Sequence, residues 1–150
     1  MNAHKSLKQI KLLYFIITIL LAIFALISFM YITKVGAVYS LEANAESNLK
    51  SLIVILALVG IPASYMFQNR KVKHLDENMD AARKLQQYRM AFFIKIMTLE
   101  GISLLSLLGY LMTGNINQLM IFGLVYLFLL LNYPRRKSVL EELNIQESEL

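Results

Sequence analysis

Apolar residues along the chain gather into four runs, over residues 12–32, 51–67, 92–113 and 117–132, set apart by polar stretches of unequal length. A helix rises about 1.5 Å per residue, so the 22 residues of the third run would cover roughly 33 Å, enough to cross a bilayer core. Backbone groups in lipid must find their hydrogen bonds inside the segment, which favours helices. Short strands alternating in polarity, the mark of a membrane barrel, are absent. The pattern predicts an all-α integral membrane protein. Its expected form is a four-helix transmembrane bundle of two antiparallel hairpins, with residues 1–150 as a single domain.

The polar stretches refine this picture. The first run, 21 residues behind a basic start, is too long for the core of a secretory signal and reads as an uncleaved anchor. Residues 33–50 read as a surface connection. Pro62, with Gly60 beside it, predicts a bend in the second span near residues 58–62. In the charged stretch 68–91, Asp76, Glu77 and Asp80 precede Arg83 and Lys84, an order that suits a helix dipole. Val72, Leu75, Met79 and Ala82 recur at helical spacing. A helix is expected from about Asp76, passing directly into the third span. Thr113-Gly114-Asn115 allows only a tight turn before the fourth span, hence a hairpin. After Pro134 a short helix over residues 135–143 would carry Val139, Leu140 and Leu143 on one side. The acidic tail 144–150 should fray.

Composition and charge add orientation. Hydrophobic residues make up 57% of the chain, above the roughly 45–50% usual for soluble domains. Twelve basic residues lie in the N-terminal segment, the 68–91 stretch and the tail, against only Lys34 and Lys50 in the two opposite loops. The positive-inside rule then places both termini and the central loop in the cytoplasm, as for a multi-pass protein of a bacterial inner membrane. Arg70, Lys71 and Lys73, with Arg135, Arg136 and Lys137, are expected to meet anionic headgroups and hold the spans in place. Nucleic acid is a poor partner, because acids split the basic charge and no recognition helix is evident. Tyr14, Tyr31, Tyr39, Tyr88, Tyr110 and Tyr133 stand near the expected interfaces and read as aromatic belts.

The chemistry concentrates in the third span. Glu100 lies about 13 Å along the axis from Ala91, too deep for a short side chain to reach water easily. On a helical projection Glu100, Ser103, Ser106, Tyr110 and Thr113 share an arc of about 140°. Small and hydroxyl residues let membrane helices approach and bond, so this row reads first as a packing face. Read more sharply, Glu100 binds or relays a proton or cation. Lys95 is about 140° round the helix from Glu100 and is expected to snorkel to the headgroups. Thr18, Ser64, Tyr65 and Tyr126 match Glu100 in depth and are its candidate partners. With hydroxyl partners alone, Glu100 is expected to be neutral.

His4 and His74 stand alone, cysteine is absent, and no nucleophile–base pair or phosphate loop can be named. No enzyme activity, metal or cofactor is therefore expected. The leading expectation is an accessory or scaffolding subunit of a membrane complex, as a homo-oligomer or docked on other membrane proteins. The alternative is proton or small-cation translocation through an oligomer, with Glu100 as the site. The four spans and the Leu99-Glu100-Gly101 neighbourhood resemble in outline the proteolipid subunit of rotary proton-pumping ATPases. That resemblance implies a ring that carries protons on the glutamate. The chain departs from it in having six glycines, an acid in the third span rather than the fourth, and a long charged loop. The resemblance is thus an analogy.

Overall fold

The computed structural model of the protein describes residues 3–38, 42–75 and 79–145, with only the backbone described for 3–6. Among these residues the regular structure is wholly helical. The elements are α1 (Ala3–Val35), α2 (Ala43–Lys73), α3 (Ala81–Thr113), α4 (Ile116–Leu131) and α5 (Arg136–Glu142). Three stretches, Leu7–Val35, Ala43–Lys73 and Ala81–Thr113, are long and apolar enough to cross a membrane. A fourth is added if α4 and α5, bent by 76° at their junction, are taken together.

The helices overrun the apolar runs. Residues 43–50, expected in a loop, form the first two turns of α2. Their composition, ANAESNLK, is compatible with helix, and Glu46 in the first turn meets the positive end of the dipole. At the charged stretch the expectation ran the other way. Helix α3 starts at Ala81 rather than near Asp76, with Asp80 as its N-cap. The Asp80 carbonyl accepts from the amides of Arg83 and Lys84 at 2.9 and 3.0 Å. Asp76 and Glu77 lie outside the described residues. From Ala81 the helix does continue without a break to Thr113. Pro62 sits inside α2, which remains one helix.

Helix α3 is the hub. Half of its apolar window is buried, against 22% for α1 and 17% for α2. Helices α1, α2 and α4 each pack against it. This corrects the expectation of two hairpins: α3 and α4 form one, but α1 rests on α3 rather than on α2. Polar contacts to both α3 and α4 hold α1 in this place. The Tyr14 hydroxyl lies 3.1 and 3.2 Å from the carbonyls of Leu129 and Leu130. It donates at the end of α4, where the Leu129 carbonyl also accepts from the Asn132 amide at 3.1 Å. The Tyr126 hydroxyl donates in return to the Thr18 carbonyl at 3.2 Å. Arg89 Nη1 donates to Gln9 Oε1 at 2.6 Å, tying α1 to the start of α3.

Two ends can be told apart by these contacts. One gathers the start of α1, the end of α2, the start of α3, the end of α4 and the short α5, and is the basic end. At the other, the Val38 amide donates to the Leu111 carbonyl at 3.0 Å, and Asn115 Nδ2 donates to Glu46 Oε1 at 2.6 Å. There Gly114, at φ +66°, closes α3 in the left-handed conformation. Asn115 Oδ1 then caps α4 by accepting from the Asn117 amide.

The outer surface is apolar, with Leu12, Phe15 and Leu20 on α1, Leu58 and Val59 on α2, Met97 and Leu108 on α3, and Met120 and Leu127 on α4 all exposed. Exposed patches of this extent are rare on soluble monomers and fit a lipid-facing surface. The tyrosines depart from the expected belts. Tyr14, Tyr88 and Tyr110 are buried, and only Tyr31 and Tyr133 are exposed. Tyr39 lies outside the described residues. Helix α5 folds back on the basic end with Val139, Leu140 and Leu143 inward, on the side expected of it.

Candidate functional site

Two polar regions meet on α3. The first is the row that the sequence singles out. Ser103 and Ser106 are fully buried and Tyr110 nearly so. Among the described residues neither serine hydroxyl has a hydrogen-bond partner. Buried hydroxyls and amides are usually paired, so these two need a reason. Gln118 of α4 joins them: it is wholly buried, and neither end of its side-chain amide is paired. It lies against Gly109, where a Cβ would stand 3.2 Å from its Cδ. Gln118 was missed because a glutamine in the first turn of a helix usually reads as an interfacial residue.

Glu100 stands at the edge of this row, half-buried. Its Oε2 is shielded and has no hydrogen-bond partner. None of the four candidate partners bonds to it. Thr18 donates to the Tyr14 carbonyl at 2.8 Å and Ser64 to the Ile61 carbonyl at 2.7 Å. Tyr65 accepts from Asn132 Nδ2, and Tyr126 reaches across to α1. Serine and threonine in helices readily turn back on the carbonyl one turn earlier, which takes their donors out of play. Equal depth was the basis for choosing these residues, and depth says nothing about direction. Beside Glu100, Gly101 is exposed, with open space where a Cβ would go.

The second region is built on Lys95, which does not snorkel. It is only 6% exposed. Its ammonium lies over the Tyr65 ring at 4.8 Å from the centroid and over Phe92 at 5.5 Å. Rings attract a cation through their negative faces, more strongly when water is excluded. A signal for this existed in the sequence. Lys95 is eleven residues before Ser106, close to three full turns, so the two differ by only about 20° around the axis. Measured from Glu100 it seemed to stand apart; measured from Ser106 it falls on the buried face.

Lys95 forms the floor of a cavity of about 220 Å³ lined by Tyr65, Gln68, Tyr88, Asn132, Arg135 and Glu142 among others. The cavity owes its wall to the 76° bend between α4 and α5. That bend lays Arg135 and the face of α5 bearing Glu142 across the ends of α2 and α3. Asn132 holds the corner, donating to the Phe128 carbonyl and to Tyr65. Of the expected headgroup residues, Arg70, Lys71, Lys73, Arg135 and Lys137 are exposed at this same end, with Arg136 half-buried. The Lys137–Glu141 pair, at 4.0 Å and open to solvent, contributes little to stability.

The imidazole Nδ1 of His74 lies 2.7 Å from the Arg70 carbonyl, where it serves the end of α2. Among the described residues no three His, Cys, Asp or Glu side chains converge as metal ligands would. Comparison with protein-family models, with curated proteins and with solved structures found no match to the chain.

Proposed function

We propose that the chain is an accessory or scaffolding subunit of a membrane complex, crossing the bilayer four times with both termini on the cytoplasmic side of a bacterial inner membrane. The observation that carries this reading is the edge of α3 at Glu100. Glu100 is half-buried, with one carboxyl oxygen shielded inside the bundle, and the exposed part of its side chain lies beside Gly101, where there is open space on an otherwise apolar surface. In lipid, a polar group in such a place draws a hydrogen bond from a neighbouring helix, and a small residue lets that helix come close. The occupant is a second copy of the chain or another membrane subunit.

The test is assembly in native-like lipid. Glu100→Ala should weaken association by roughly three- to thirtyfold, the range that one interhelical hydrogen bond of about 0.6–2 kcal/mol provides. Glu100→Gln keeps shape and hydrogen bonding and should assemble normally. An alanine variant that assembles like wild type would remove the basis for this reading. Topology is tested separately. A reporter fused after Leu150 should be active only on the cytoplasmic side, because twelve basic residues against two orient the chain. Activity on the far side would reverse the orientation.

A second reading, translocation of protons or small cations through an oligomer, is favoured by the unpaired Ser103, Ser106 and Gln118 inside the bundle. Glu100→Gln separates the two readings. It removes ionisation but not assembly, so flux into reconstituted vesicles would cease while the complex persists.

A further inference from the structure

We propose that the cavity over Lys95 is a binding site for a monoanionic phosphodiester, carried by a phospholipid headgroup or by a free phosphate ester. Three features of the cavity converge on this class. Lys95 is a buried cation whose direct contacts are two aromatic rings. Rings attract an ammonium but accept none of its N–H bonds as an anionic oxygen would, so its donors are open to an oxygen ligand. Around it the lining carries further donors, the Gln68 amide and the Arg135 guanidinium, while the Tyr88 hydroxyl is engaged by Gln68 and Glu142. A tetrahedral phosphate presents oxygens in several directions and can meet donors arriving from α2, α3 and the α4–α5 corner together. A flat carboxylate cannot.

The charge balance selects among phosphates. Lys95 and Arg135 bring two positive charges and Glu142 one negative, leaving one net positive in the lining. A phosphodiester carries one negative charge and neutralises the site. A phosphate monoester with nearly two would face Glu142 uncompensated. The place also fits. The cavity lies at the basic end, where the apolar helices give way to the charged segments. Its floor is one buried lysine and its rim one exposed arginine.

The experiment uses the full chain in non-ionic detergent, titrated in one arm with short-chain phosphatidylglycerol and in the other with dimethyl phosphate, a free monoanionic phosphodiester. Native mass spectrometry reads bound ligand, and a thermal shift reads stabilisation. Wild type should bind in at least one arm, and Lys95→Gln should weaken that binding by about tenfold or more, as expected for loss of a charge-assisted bond in a shielded site. Glu142→Gln removes the opposing carboxylate from an exposed position and should tighten binding severalfold. A merely structural role for Lys95 would not produce that opposite sign. Lys95-dependent binding of phosphatidylglycerol alone assigns the site to a lipid headgroup. Lys95-dependent binding of dimethyl phosphate as well assigns it to a free phosphodiester ligand. Binding of neither probe, equal binding by wild type and Lys95→Gln, or no tightening in Glu142→Gln would overturn the proposal. Should Lys95→Gln fail to fold, the Glu142→Gln result decides.

Discussion

Gly109→Leu is expected to break the packing of α3 against its two neighbours and to cost about 1–3 kcal/mol or more. A Cβ at this position would already stand 3.0 Å from Ile53 Cδ1 on α2 and 3.2 Å from Gln118 Cδ on α4. Both neighbours are wholly buried, so neither can swing out to lipid. Alanine asks each to yield by a few tenths of an ångström. Leucine adds three further carbons with nowhere to go, and the helices must part. Circular dichroism followed through thermal unfolding in detergent would show a lowered midpoint. Gly123→Leu is the control, because that glycine has nothing within 4 Å of its would-be Cβ. It should stay within about 0.5 kcal/mol of wild type. Equal stability of the two variants would mean that α2, α3 and α4 do not meet at Gly109.

The same contact yields a change of opposite sign. Gln118→Leu should stabilise the bundle by about 1–3 kcal/mol, the usual cost of leaving buried polar atoms unpaired. Gln118 is 0% exposed, and among the described residues neither its Nε2 nor its Oε1 has a hydrogen-bond partner. Leucine has a similar volume and carries no polar group, so it fills the space without that cost. The same thermal unfolding reads the result. A stabilised variant that no longer assembles or conducts would mark Gln118 as a residue kept for function at the expense of stability. A destabilised one would show that the amide is paired after all.

These two residues also show how far the sequence could be read. The four apolar runs all became helices, because hydrophobicity over some twenty residues is a local property that lipid reads directly. The inward placement of Ser103, Ser106 and Tyr110 followed from their shared face, which depends on helix geometry alone. Which helix meets which was not legible. Helix α1 lies on α3 and its Tyr14 reaches the end of α4, a pairing across 115 residues that no local pattern encodes. The fate of Lys95 was hidden for the same reason. Its charge pointed to the interface, but its surroundings are a ring from α2 and a corner made by the bend after α4. Residues 43–50 were misread because polarity was taken as a sign of a loop. A helix can pass from apolar into polar sequence without ending.

The seating of α1 on α3 rather than on α2 has a consequence for the order in which the protein can be built. Synthesis delivers the first two helices before the third, yet these two share little interface with each other. Until α3 emerges, the Gly60 surface of α2 has no Ile102 to receive, and Tyr14 and Thr18 wait longer still, because their partners lie on α4. Closure of the bundle therefore waits on its third helix, around which α1, α2 and α4 all pack.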